Sequence, residues 1–102
     1  MKYQIVVQLP EETFGDLGLI IEMEDKLEAN LLNAELDGHD LGNGEVNIFI
    51  HTNSPIETFE LVKNIFHDDV QVLANAKVAY RELTDEEYIC LWPADLKEFE
   101  IT

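Results

Sequence analysis

The first apolar residues of the chain recur at every second position, which is the period of a β-strand with one buried face. Pro10 follows this segment and cannot donate a backbone hydrogen bond to a sheet. The pattern therefore predicts a first strand over residues 3–9, with Tyr3, Ile5, Val7 and Leu9 on one side and Gln4, Val6 and Gln8 on the other.

The apolar spacing then changes to three and four residues, which is the spacing of one helix face. The stripe that predicts this first helix consists of Leu17, Ile20, Met23, Leu27 and Leu31. Thr13 followed by Asp16 resembles a capping box, whereas Gly15 and Gly18 disfavour an early helical turn. The pattern therefore leaves the first residue of this helix open.

The middle of the chain predicts a β-hairpin followed by a second helix. Residues 34–40 and 45–52 are strand-like and flank the turn signal of residues 41–44. Ser54, Pro55 and Glu57 then form a helix start, since serine caps, proline suits the first helical position and glutamate completes a capping box. The inner stripe of this second helix is Phe59, Val62 and Phe66, with Ile65 beside it.

Two further strands are predicted near the C-terminal end, over residues 76–83 and 88–92, joined by the polar turn 84–87. Residues 70–75 are ambiguous between helix and strand. Beyond Pro93, three apolar residues recur among acidic ones, which is typical of a docked segment or an edge strand rather than a free end. These residues are Leu96, Phe99 and Ile101.

The predicted order is β, α, β, β, α, β with an added β, within a single domain spanning residues 1–102. This order is typical of the ferredoxin-like sandwich, in the α+β class, here with an additional C-terminal strand. We expect both helices to cover one face of an antiparallel sheet, with the first and third strands central. The other face, called the outer face below, carries Gln4, Val6 and Gln8 and is expected to be open to solvent or a partner.

Charge limits the partners that this domain can have. The chain has 22 acidic and 6 basic residues and a formal net charge of −16. Such a charge disfavours nucleic acid and anionic membranes and favours a basic protein or a multivalent cation. No apolar stretch approaches the length of a membrane span and no signal-peptide pattern is present, so a cytoplasmic location is expected. Cys90 stands alone, which excludes an intrachain disulfide and suggests an inert, buried thiol.

Residues 37–45 contain the strongest candidate chemistry, because carboxylates, an imidazole and three glycines lie beside the hairpin turn. Asp37, His39 and Asp40 could ligate a divalent metal, or an aspartate could orient His39 as a general base. The same composition is typical of a polar turn, in which glycines permit positive φ and aspartates bond their own backbone, and this structural interpretation is the favoured one. No organic cofactor is predicted.

Strand register decides which of these side chains share a face. If Asp40 lies opposite Glu45, His39 joins the core side. A one-residue bulge would instead turn Leu36 inward and place His39 beside Asn47 on the outer face. We favour the bulged register, in which the outer face would carry a candidate site made of Asp37, His39, Asn47 and His51.

Three further residues are interpreted as structural. Arg81, the only arginine, is expected to fix the terminal hairpin through carboxylates, with anion binding as the alternative. Trp92 is expected to pack, although an interface anchor is the other reading. His67 is expected to complement the dipole at the end of the second helix.

Several of these residues carry a resemblance. The motifs are Asp37-Gly38-His39-Asp40, Gly42, Gly44-Glu45 and Asn47-Ile48-Phe49-Ile50, with Tyr80-Arg81 and Leu91-Trp92-Pro93 further on. With these motifs the chain resembles, over most of its length, a small family of bacterial proteins without an established activity. The resemblance implies a compact ferredoxin-like domain and transfers no catalytic role to any residue.

The leading hypothesis is a non-enzymatic interaction domain that binds a basic protein, such as a toxin that it neutralises, or that forms a homodimer through the outer face. A second hypothesis is a small enzyme or metal-dependent module centred on Asp37, His39 and Asp40. A third is a regulatory domain with a small-ligand pocket between subunits.

Overall fold

One antiparallel sheet and four helices make up the computed structural model, which describes residues 1–101. The strands are β1 (Tyr3–Pro10), β2 (Ala34–Gly42), β3 (Glu45–Thr52), β4 (Lys77–Glu82) and β5 (Ile89–Trp92). The helices are α1 (Glu11–Phe14), α2 (Leu17–Asn30), α3 (Pro55–Ile65) and α4 (Val70–Asn75). The strand order is β2-β3-β1-β4-β5, and every neighbouring pair is antiparallel. The α+β class is therefore confirmed.

Alternate residues of the strands pack against the helices in one apolar core. Ile5, Val7 and Leu9 of β1 belong to this core, whereas Val6, which is also fully buried, lies outside it. Because successive strand residues point to opposite faces, Val6 marks the outer face. The helices contribute Ile20, Met23, Leu27, Phe59, Val62, Ile65 and Val72 to the same core. Helices α2, α3 and α4 therefore cover the same side of the sheet, called the helix side below.

The helix starts follow the sequence signals only in part. Asp16 caps α2 by accepting a hydrogen bond from the backbone N–H of Leu19 at 3.0 Å, whereas Thr13 lies within α1. Helix α3 begins at Pro55 as predicted, but the Ser54 side chain makes no capping bond. The ambiguous residues 70–75 form α4, which buries Val72.

The β2–β3 hairpin closes through a tight turn at Asn43 and Gly44. Their φ angles are 50° and 83°, the combination of a type I′ turn, whose twist suits a two-residue hairpin. Farther from the turn a bulge interrupts β2, since Leu36 lies opposite Ile50 but Gly38 lies opposite Phe49. Gly38 has a φ of 108°, which side chains other than glycine rarely adopt.

The C-terminal segment docks on the sheet, one of the two alternatives predicted, and does not form a strand; the face on which it docks is the outer one. The Gln8 side-chain amide donates to the backbone oxygen of Glu100 at 3.1 Å. The rings of Tyr88 and Phe99 meet edge to face, with centroids 4.9 Å apart. The expectation of a bare outer face is therefore wrong where this segment lies over β1. Gln8 is buried there and also donates to Asn47 Oδ1 at 3.0 Å.

Among residues 1–101, no helix has both the length and the apolar character needed to cross a bilayer.

Candidate functional site

The Asp37–Asp40 segment lies in β2, at one edge of the sheet. Strand β3 is the only hydrogen-bonded neighbour of β2 within residues 1–101. Asp37, His39 and Asp40 are all exposed at this edge. The candidate residues are therefore accessible, and the bulge decides which face each of them occupies.

The bulge places His39 on the helix side. His39 lies opposite Ile48, a core residue, and its Nδ1 is 3.1 Å from Oε2 of Glu24 in α2. The prediction that His39 lies beside Asn47 on the outer face is therefore wrong. The predicted bulge exists, but it falls between Leu36 and Gly38, so that Leu36 and His39 both face the helices.

Asp37 and His51 meet on the outer face, as the favoured register predicted for these two residues. His51 Nε2 is 3.4 Å from Asp37 Oδ2, and this pair joins β2 to β3. Asp40 lies opposite Asn47 and therefore also on the outer face. Asn47 is 1% exposed and its Oδ1 accepts the Gln8 hydrogen bond, so its side chain belongs to the interior.

The three candidate metal ligands do not converge on one point. Asp37 and Asp40 lie on the outer face, whereas His39 contacts Glu24 on the helix side. Across residues 1–101, no group of three or more His, Cys, Asp and Glu side chains is arranged to hold a metal ion. The arrangement provides instead two separate pairs of imidazole and carboxylate, one on each face of β2.

Arg81 fixes the terminal hairpin, but through carbonyl groups rather than the predicted carboxylates. Its Nη1 donates to the backbone oxygens of Glu82, Leu83 and Asp85 at 3.3, 3.2 and 2.9 Å. Its Nε donates to Oε1 of Gln4 at 3.1 Å. The guanidinium also lies 6.0 Å from the centre of the Tyr88 ring. These contacts tie β1 and β4 to the 84–87 turn and support the structural interpretation of Arg81.

The packing interpretation of Trp92 is confirmed. Its indole Nε1 donates to the backbone oxygen of Leu73 at 2.8 Å, and its ring centre lies 6.3 Å from that of Phe59. Cys90 in β5 is only partly buried, which corrects the expectation of a buried thiol. His67 follows the end of α3 and is exposed, and its interaction with the helix dipole stays a prediction.

Sequence reasoning missed a groove beside β2. This β2 groove has a volume of about 350 Å³ and is lined by Glu28, Leu31, Ala34, Glu35 and Leu36. Its apolar lining residues are Leu31, which follows α2, and Ala34 and Leu36 of β2, while its two glutamates are exposed. The signal was present in the alternation of Ala34 and Leu36, which we assigned only to a polar strand.

One flank of α2 continues this surface along the edge of the sheet. Ile21, Glu24 and Glu28 are spaced by three and four positions and therefore share a helix face. Glu24 contacts β2 through His39 and Glu28 lines the β2 groove, so this face borders β2. Ile21 is 45% exposed. The edge therefore combines apolar and acidic groups.

Comparison with known proteins adds little to this description. No protein-family model matches the sequence, and no curated protein matches it. Among solved structures the chain is similar to the de novo designed protein Foldit4, with 21% identity and a TM-score of 0.46. The match covers 83% of this chain and 97% of that protein.

Proposed function

We propose that the chain is an acidic interaction module that binds a basic protein. The observation that carries this proposal is the net charge of −16 together with the exposure of Glu35, Asp37 and Asp40 on the edge strand β2. Charge of one sign on a binding surface accelerates encounter with a partner of opposite charge and rejects partners of the same charge. A basic toxin that the chain neutralises in the cytoplasm is a partner of this kind.

We further propose that the fold is ferredoxin-like. The order β2-β3-β1-β4 within the sheet supports this assignment, because it is the order of two interlocked βαβ units with all neighbours antiparallel. β5 extends that sheet beside β4. The same assignment agrees with the resemblance to the small bacterial family, of which we propose the chain is a member.

The proposed function is tested by affinity capture with the purified chain as bait at low salt. An unrelated protein of similar negative charge serves as the control bait, because it captures proteins that respond to charge alone. Each protein captured only by the chain is identified and purified, and its Kd is measured at several salt concentrations. We expect one basic partner with a saturable complex of fixed stoichiometry, whose affinity falls with salt because screening shortens the range of exposed charges to about 10 Å at 0.1 M.

Capture of the same basic proteins by both baits would contradict the proposal, since it would reduce the effect to non-specific charge. So would a partner that is itself acidic and binds more tightly as salt is added.

A second candidate is metal binding or general-base chemistry at Asp37 and His51. The 3.4 Å contact between their side chains favours it, because a carboxylate can orient an imidazole that moves protons. Calorimetry with Zn²⁺ and Mn²⁺ tests the metal form. Binding that disappears in both Asp37→Ala and His51→Ala would support it, and no saturable heat would remove it.

A further inference from the structure

We propose that β2 takes up an extended basic segment of the partner as an additional strand of the sheet. This inference rests on the proposed function and specifies its binding surface. The juxtaposition that carries it is a strand edge without a further strand neighbour among residues 1–101, a groove on the helix side to which Leu31, Ala34 and Leu36 contribute, and carboxylates on the outer face.

The two edges of the sheet differ in what they offer to another strand. β2 has β3 as its only strand neighbour within residues 1–101. β5 is followed directly by Pro93, which has no backbone N–H to donate. Strand addition depends on a row of backbone donors and acceptors along the edge. β2 is therefore the edge that can accept a partner.

The side chains around β2 match a segment in which apolar and basic residues alternate. Ala34 and Leu36 face the helix side and line the β2 groove. Glu35 lies opposite His51 and therefore points to the outer face. The Asp37 carboxylate contacts the His51 imidazole on that same face. An added strand would also alternate between faces. Its apolar side chains would enter the β2 groove while its Lys or Arg side chains would reach Glu35 and Asp37.

The bulge limits where regular pairing can occur. Because an extra residue disrupts a ladder and bends the strand, pairing with a new strand is regular only on one side of the bulge at a time. The β2 groove lies beside Ala34–Leu36. We therefore place the added strand along this part of β2, with Asp37 at its border.

Charge decides which occupant this edge selects. A second copy of the chain would bring Glu35, Asp37 and Asp40 close to an identical set, and like charges across a new strand pair destabilise it. Acidic groups on an edge thus prevent pairing between copies of the protein. The same groups attract a basic strand, which is the occupant that we propose.

The test uses a peptide of about eight residues in which Lys and Val alternate, with both ends blocked. One control peptide has the same composition with the lysines and valines in separate blocks. A second control carries N-methyl groups on the alternate amides along one edge, which removes hydrogen-bond donors but keeps every charge. We expect the alternating peptide to bind at low salt at least about tenfold more tightly than either control.

Two protein variants locate the site. Glu35→Lys replaces an exposed carboxylate on the outer face of β2, and Glu86→Lys makes the same change of charge in the exposed 84–87 turn, before β5. We expect Glu35→Lys to weaken binding about tenfold and Glu86→Lys to weaken it less than about threefold. In wild-type protein, hydrogen exchange at the amides of residues 34–36 should slow when the peptide binds. Circular dichroism checks that both variants fold.

The outcomes separate this inference from the proposed function. Equal binding of all three peptides, with equal losses in the two variants, would overturn strand addition and leave a basic partner that binds by charge alone. A chain that captures no specific basic partner and binds none of these peptides would fail both. Self-association that Glu35→Lys alters and that the peptide does not displace would assign the β2 edge to a second copy and overturn this inference.

Discussion

At the scale of single residues, Arg81 shows what planar geometry contributes beyond charge. Its Nε and Nη1 donate to a side-chain oxygen on β1 and to three backbone oxygens around the 84–87 turn. A lysine keeps the charge but has one ammonium group, which cannot span these positions. We therefore expect Arg81→Lys to lower the free energy of unfolding by about 1–2 kcal/mol. Urea unfolding of wild type and variant measures this difference.

The control for Arg81 is Lys97→Gln, which removes a positive charge from the exposed C-terminal segment. A larger loss of stability in Lys97→Gln than in Arg81→Lys would show that charge, and not the fixed array of donors, explains the role of Arg81.

The sequence predicted the kind of role that a residue has better than it predicted the hydrogen-bond partners of that residue. The sequence indicated that Arg81 fixes the hairpin, but abundant carboxylates suggested the wrong acceptors, because only the fold brings the turn carbonyls to the guanidinium. Ser54 marks the start of α3 correctly without capping it. Its own N–H donates to Oγ1 of Thr52 at 3.0 Å, and that hydroxyl also lies 2.7 Å from Thr58 Oγ1. A capping pattern in the sequence does not predict these contacts.

At the scale of elements, Gly38 holds the bulge that distributes the candidate residues between two faces. An added Cβ would meet no atom within 4 Å at Gly38 or at Gly42, so steric contact distinguishes neither position. Only Gly38 has a positive φ, of 108°. We expect Gly38→Ala to destabilise the protein by about 1–3 kcal/mol through backbone strain. Gly42→Ala should be neutral or stabilise by up to about 1 kcal/mol, since it restricts the unfolded chain. Thermal and urea unfolding of the pair test this.

A loss of similar size in both variants would contradict the role of φ and point to a general cost of alanine on β2. Backbone amide shifts of His39 and His51 provide a second check. If Gly38→Ala shifts the strand register instead of straining the backbone, the amide signals of both histidines should move far more than they do in Gly42→Ala.

The position of the bulge could not be predicted from the sequence, for a physical reason. In a uniform register only one of Leu36 and His39 can face the helix side, and the alternation of apolar residues is the only signal that decides between them. The bulge satisfies both, since Leu36 packs at the core and His39 reaches Glu24. Helix α4 was left ambiguous for another reason, because its six residues are too few to show a helical period. The longer elements β1, α2 and α3 were predicted because their apolar patterns continue over several turns or alternations.

At the scale of the whole molecule, the packing of the helices on one side of the sheet follows from the apolar patterns of the helices and strands. The apolar stripes of α2 and α3 and the inward residues of β1 and β3 meet in one core. The C-terminal segment was expected to dock, yet its site on the outer face depends on a contact with Gln8, which lies far from it along the chain. The β2 groove was missed for a different reason, since residues 34–36 were interpreted only as a polar strand and the turn that brings them beside the end of α2 was not predicted.

The charge of the whole molecule makes folding itself dependent on salt. A net charge of −16 is compressed into a folded domain whose Cα radius of gyration is 12.4 Å, and it spreads over a larger volume when the chain unfolds. Self-repulsion therefore destabilises the compact state more than the unfolded one, and added salt should raise the melting temperature. If screening contributes about 1 kcal/mol, the midpoint rises by about 4–8 °C for a domain of this size.

Comparing NaCl with MgCl₂ at equal ionic strength separates screening from site binding. Equal stabilisation by the two salts is expected from screening, whereas a far larger effect of Mg²⁺ at low concentration would indicate a cation site of the kind that the Asp37–His51 pair leaves open. Glu86→Lys, which reduces the net negative charge by a substitution at an exposed position, should begin more stable at low salt and gain less from NaCl. A midpoint that falls as NaCl is added would mean that attractive pairs such as Lys63–Glu60 outweigh the repulsion. The carboxylates would then be stabilised by favourable contacts within the domain, and they would not be available to bind a basic partner.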